Sequence, residues 1–131
     1  MTDTVLFLCP HHAAKSVIAE AYFNQLVQQR KLPFEGISAG TEPDEVVSPL
    51  VVQILGDEGI DVSQHQPQRF TAQQLSKATT IISMGCTAEE LGVPSERVQM
   101  WNDVPPVSQN PQAAQAAIRE HVEALVHQLT E

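Results

Sequence analysis

Val5-Leu6-Phe7-Leu8-Cys9-Pro10-His11-His12-Ala13-Ala14-Lys15-Ser16-Val17-Ile18-Ala19-Glu20-Ala21-Tyr22-Phe23 decides the fold. An apolar run stops at a cysteine. A short polar loop follows, then a lysine, a serine and an amphipathic helix. A buried strand thus hands a thiol to the N-terminus of a helix. Backbone N–H groups and the helix dipole converge there and favour an anion. The same field favours a thiolate, the reactive form of cysteine.

Outward from that stretch, strand-like and helix-like segments alternate. Val5 to Cys9 suits a central parallel strand. From Ser16 on, Ile18, Tyr22 and Leu26, with Ala19, Phe23 and Val27 beside them, make one wide helical face. Phe34 to Ala39 reads as a strand stopped by Gly40. Ser48-Pro49 opens a helix that Gly59 ends. Thr71 and Gln74 form a capping box for a short helix. Thr79 to Met84 and Arg97 to Trp101 read as further strands, and Asn110-Pro111 opens a last helix. The order β-α-β-α-α-β-β-α predicts an α/β three-layer sandwich: a four-stranded parallel sheet with helices on both faces. Ligands of such sheets bind at the carboxyl ends of the strands, where Cys9 sits.

The chain has 131 residues, 42% hydrophobic and 18% charged, which fits one domain over residues 1–131. A net charge of −9, from 7 basic and 16 acidic residues, argues against nucleic acid or an anionic membrane as partner. No apolar run approaches the ~20 residues of a membrane span, and no signal peptide is expected. Cys9 and Cys86 are the two cysteines. That count excludes a disulfide framework and points to a reducing, cytoplasmic location.

The loop reads Cys-x5-Lys-Ser. Five intervening residues let the backbone of His11, His12, Ala13, Ala14, Lys15 and Ser16 wrap a tetrahedral oxyanion above Cys9. In that reading Cys9 attacks phosphorus or arsenic in line. Lys15 neutralises charge on the oxygens, and the Ser16 hydroxyl hydrogen-bonds the sulfur. Cys9, His11 and His12 also resemble metal ligands. They have no matching pair elsewhere, so neither a metal nor a cofactor is expected. Cys86 reads either as a core residue or as a resolving thiol. His65, His121 and His127 read as surface residues, and Tyr22 as core with a bonded hydroxyl.

Phe7-Leu8-Cys9, Ser16, Ala19-Glu20-Ala21 and Phe23-Asn24 resemble the opening of the low-molecular-weight protein tyrosine phosphatases and their relatives, the thiol-dependent arsenate reductases. Ser38-Ala39-Gly40-Thr41, Glu58-Gly59-Ile60-Asp61-Val62-Ser63 and Met84-Gly85-Cys86 extend the resemblance to about Trp101. It implies a flavodoxin-like, phosphotyrosine phosphatase I-like fold. It also implies a left-handed backbone at His12, buttressed by Ser38. Three departures stand out. Lys15 replaces an arginine, exchanging a bidentate fork for a point charge. His12 replaces an asparagine. Pro105 occupies the place of the general-acid aspartate, leaving Asp103, two residues early, as the candidate acid.

Three functions fit these residues. One is arsenate reduction, in which Cys86 resolves an adduct on Cys9 and an external thiol such as thioredoxin resets the enzyme. Another is dephosphorylation of a phosphotyrosine-like substrate. The third is a catalytically impaired phosphate- or oxyanion-binding module.

Overall fold

The computed structural model describes residues 2–131. Strand β1 (Asp3–Leu8) leads through the cysteine loop into helix α1 (Lys15–Gln29), followed by β2 (Phe34–Ala39), α2 (Pro49–Asp57) and α3 (Ala72–Lys77). Then come β3 (Thr80–Ser83), α4 (Ala88–Leu91), a 3₁₀ turn (Ser95–Arg97), β4 (Val98–Met100) and α5 (Pro111–Leu129). All three strand pairings are parallel, in the order β2-β1-β3-β4. β1 is therefore an inner strand. Its register aligns Leu8 with Ala39 on one side and Ser83 on the other.

The unbroken apolar run of β1 follows from that place, because both faces of an inner strand are covered. Val5, Phe7 and Cys9 belong to a core with α1, α2 and α5, while Leu6 and Leu8 belong to another with Ile81, Leu75, Leu91 and Cys86. Alternate residues of one strand thus feed opposite layers. Phe7 meets Phe23 of α1 edge-on at 5.4 Å between ring centroids. Such a pair adds roughly 0.5–1.5 kcal/mol beyond area burial.

Local chemistry sets the helix ends. The Thr71–Gln74 box is formed in both directions. Gly59, at φ +81°, follows α2 in a left-handed turn; its N–H and that of Ile60 bond back to the carbonyls of Gly56 and Leu55. Asn110 caps α5 by accepting from the Ala113 N–H. Ser48 stands at the N-cap of α2 but makes no capping bond with its side chain.

Two strands are shorter than the sequence suggests. Arg97 sits in the 3₁₀ turn rather than in β4, and its guanidinium bonds the carbonyls of Leu75 and Ala78 at the end of α3. Helix α4 is an addition. Its signal, a Thr87–Glu90 capping box, was present in the sequence. Among the described residues no helix is long and apolar enough to cross a membrane.

Candidate active site

The loop between β1 and α1 is held from outside. The carbonyls of Pro10, His11 and Ala13 accept from the N–H groups of Glu42, Asp44 and Ser48 at 2.7, 2.9 and 2.9 Å. Among the described residues no peptide bond is cis. In a trans peptide the next N–H points opposite the carbonyl. Tying those carbonyls outward therefore turns the N–H groups of His11, His12 and Ala14 inward. Helix α1 adds its own free N–H groups, since Ala14 at its N-cap offers no side-chain cap. The result is a concave set of donors over the end of β1, of the kind that binds oxyanions. At its floor Cys9 Sγ lies 3.0 Å from Ser16 Oγ, and both residues are buried.

Gly40 fits tightly beneath this loop. A Cβ there would fall 2.6 Å from the Pro10 carbonyl oxygen, 2.7 Å from that of Cys9 and 3.0 Å from His12 Cβ. Only a residue without a side chain lets the loop lie this low on the sheet.

His12 has φ +50°, a conformation few side chains adopt. Its ring, 1% exposed, fixes the strain. The Gln68 N–H donates to Nδ1 at 2.8 Å, so the hydrogen sits on Nε2. Nε2 donates to Ser38 Oγ at 2.7 Å, and that hydroxyl donates to Glu20 at 3.0 Å. His65 Nε2 lies 3.0 Å from the same His12 nitrogen. His65 is thus a half-buried member of this network and not the surface residue its sequence suggests. Burial raises the pKa of Glu20 and lowers that of His65.

Burial first, and the facing His65 second, hold the pKa of His12 down to about 4 from 6.5. The sign follows directly. Unfolded His12 takes up a proton below 6.5, and folded His12 takes one up only near 4. Stability is therefore lost as pH falls through that window, by up to about 3 kcal/mol. Urea unfolding at pH 7 and pH 4 is expected to show this loss, and His12→Asn is expected to reduce it. An equal loss in both proteins would assign the pH dependence elsewhere.

The cradle opens into a cleft of about 340 Å³, lined by Cys9, His11, Lys15 and Asp44 on one side and Pro106, Val107 and Ser108 on the other. Lys15 Nζ donates to the Val104 carbonyl at 2.8 Å and so ties the first turn of α1 to the opposite loop. Asp103 does not line the cleft. Its carboxylate, 71% exposed, meets His121 Nε2 at 2.7 Å, and that hydrogen bond lowers its pKa. His121 in turn stacks on Trp101 at 4.6 Å, so it covers the core's edge instead of standing free in solvent. His127 is exposed, and the Tyr22 hydroxyl donates to Glu58 at 2.6 Å.

Cys86 is a free, fully buried thiol in the turn after β3. Burial pushes its pKa up, the Thr41 hydroxyl 3.9 Å away draws it down, and charge on Cys9 raises it further. Cys9 and Cys86 belong to the two different cores. Cys86 does not line the cleft, although Gly85 beside it packs against Pro10 of the loop.

Residues 4–130 match the model of the family described as low molecular weight phosphotyrosine protein phosphatase. The "Putative arsenate reductase" of Halobacterium salinarum is 29% identical over 97 residues, covering 72% of this chain and 68% of that protein. The "Probable low molecular weight protein-tyrosine-phosphatase EpsP" of Ralstonia solanacearum is 30% identical over 87 residues, 65% of this chain and 57% of that one. The chain thus spans less than two thirds of the length of the second relative. Vibrio vulnificus Wzb, in a solved structure in complex with benzylphosphonate, shares the fold at a TM-score of 0.81 and 18% identity, covering 98% and 99% of the two chains. A thiol at the end of the first inner strand, a loop of N–H donors around it and a family match across nearly the whole length lead to one assignment: the chain belongs to the low molecular weight phosphotyrosine protein phosphatase family, cysteine-dependent enzymes whose relatives include arsenate reductases.

Proposed function

We propose that this protein hydrolyses aryl phosphate monoesters of the phosphotyrosine class through a phosphocysteine on Cys9. The observation that carries the reading is the 3.0 Å contact between Cys9 Sγ and Ser16 Oγ at the floor of an open cleft. The hydroxyl donates to the thiolate and steadies it. Inward N–H groups from His11 to Lys15 take the three equatorial oxygens. Lys15 neutralises charge from the rim. Cys9 attacks phosphorus, the aryl oxygen leaves, and water then releases phosphate from sulfur.

A phenol, with a pKa near 10, leaves with less proton assistance than an alkoxide. An aryl ester therefore suits a cleft that Asp103 does not reach. The benzylphosphonate bound by Wzb is an aryl-bearing phosphonate of the matching kind. Arsenate reduction is less well supported, because Cys86 does not line the cleft in which the adduct would form, so that an external thiol such as thioredoxin would be called on. Binding without turnover is not favoured either, given the enzymes in the family. Because Cys9 works as a free thiol, a reducing compartment such as the cytoplasm fits this chemistry.

Turnover of 4-nitrophenyl phosphate, compared with arsenate-dependent oxidation of an added thiol, tests the reading. Aryl phosphate hydrolysis that persists in Cys86→Ser supports it. Arsenate turnover that requires Cys86, with no hydrolysis of the ester, would overturn it. Lys15→Arg is expected to raise ester turnover about ten- to a hundredfold, because a guanidinium grips two oxygens at once and charge-assisted bonds contribute about 1.5–3 kcal/mol each. A fall in turnover would mean that the lysine is matched to a different substrate.

A further inference from the structure

The cleft over Cys9 is lined by four titratable side chains: Cys9, His11, Lys15 and Asp44. Cys9 is the nucleophile, and Lys15 is bonded to Val104. Asp103, the carboxylate nearest the family's acid position, is turned to His121. A leaving phenolate in this cleft therefore meets no acid from the usual loop. It does meet His11. The Asp44 N–H donates to the His11 carbonyl at 2.9 Å, which fixes the two residues as a pair. His11 Nδ1 lies 3.2 Å from the Glu42 carbonyl oxygen and 3.4 Å from Asp44 Oδ1. Both oxygens accept, so Nδ1 carries a hydrogen. Among the described residues no hydrogen bond engages Nε2. That nitrogen is left to hold the transferable proton.

We propose that His11 is the general acid of this site and that Asp44 is its positioning residue. The proposal rests on the phosphatase reading. As the Cys9 sulfur bonds phosphorus, the P–O bond to the aryl group breaks. Its electron pair passes to the phenol oxygen, which takes the proton from His11 Nε2. Neutral His11 then accepts a proton from the water that attacks the phosphocysteine. The P–S bond breaks, and phosphate and the Cys9 thiolate are released. The Glu42 carbonyl accepts from Nδ1, and the Asp44 carboxylate lies 3.4 Å from the same nitrogen, facing the ring.

The test compares phenyl phosphate with 4-nitrophenyl phosphate, whose phenolate leaves readily without a proton. His11→Asn is expected to slow phenyl phosphate by about 10²–10⁴-fold and the nitrophenyl ester by far less. The alkaline limb of its kcat/KM profile should disappear. Asp44→Asn should move that limb to lower pH, and Asp44→Glu should move it back, a displacement a purely structural role does not produce. His11→Gln, with phosphate binding by calorimetry as the check on folding, guards against an unfolded variant. Equal losses on both esters, or an unchanged alkaline limb, would overturn the proposal. So would a leaving-group-selective loss that appears in Asp103→Asn instead. If the wild type shows no Cys9-dependent hydrolysis, the phosphatase reading falls and this one with it. If Cys9-dependent hydrolysis is present and His11→Asn is unselective, this one falls alone.

Discussion

Cys9→Ser is expected to reduce ester turnover by a factor on the order of 10⁶, the scale seen when a covalent nucleophile is removed from a site that works as a unit. A serine hydroxyl in this position is a far weaker nucleophile, and no residue lining the cleft is arranged to activate it. The same change should leave phosphate binding intact or tighten it. In the proposed site the donors are backbone N–H groups, and those of His11, His12 and Ala14 are oriented by carbonyls bonded to Glu42, Asp44 and Ser48. None of that depends on sulfur. Replacing a thiolate with a neutral hydroxyl also removes a negative charge beneath the anion. Calorimetry with phosphate, beside a turnover assay, separates the two effects. Retained turnover would remove Cys9 from the chemistry. Lost binding would mean that the sulfur itself holds the loop open.

Gly40→Ala is expected to be the most damaging small substitution outside the nucleophile. The added methyl would meet two backbone oxygens and one Cβ, none of which is the free end of a side chain. The Pro10 oxygen is held by Glu42, and the Cys9 N–H bonds the Ala39 carbonyl, so the loop cannot lift without losing these bonds. Overpacking of this kind costs about 1–3 kcal/mol. At the upper end the midpoint of thermal unfolding falls by roughly 10 °C. Turnover should fall as well, since the Pro10 oxygen is one of those that orient the donors. Gly56→Ala is the matching control. Gly56 lies inside α2 with nothing near its missing Cβ, and alanine there should stabilise by up to about 1 kcal/mol. Similar thermal behaviour of the two variants would contradict the close fit at Gly40.

The legible parts of this molecule were those written locally. The apolar run before Cys9, the Cys-x5-Lys-Ser spacing and the Thr71–Gln74 box each concern residues a few places apart, and each produces its element. The left-handed backbone at His12 and its contact with Ser38 were legible through the family resemblance. Long-range partners were not. His65 reaches His12 across 53 residues and Asp103 reaches His121 across 18, and no periodicity or spacing encodes either meeting. His11 was read as a loop residue with backbone duties. Its pairing with Asp44 depends on how the segment after Gly40 folds back over the loop. Cys86 was open between two roles because a sequence does not state which face of a sheet a turn residue joins.

The inner position of β1 also sets the order in which the site comes into being. Cys9 leaves the ribosome before the elements that enclose it. Its neighbouring strands β2 and β3, the wall from Pro106 to Ser108 and the helix α5 that packs against α1 all follow. At ~5–20 residues per second, several seconds separate the thiol from its enclosure. During that time the strand lacks its partners, and the loop lacks the N–H groups of Glu42, Asp44 and Ser48 that shape it. The cysteine is then an ordinary thiol. In the proposed mechanism its role as nucleophile begins only with completed folding, so the growing chain carries no active reagent before there is a pocket to confine it.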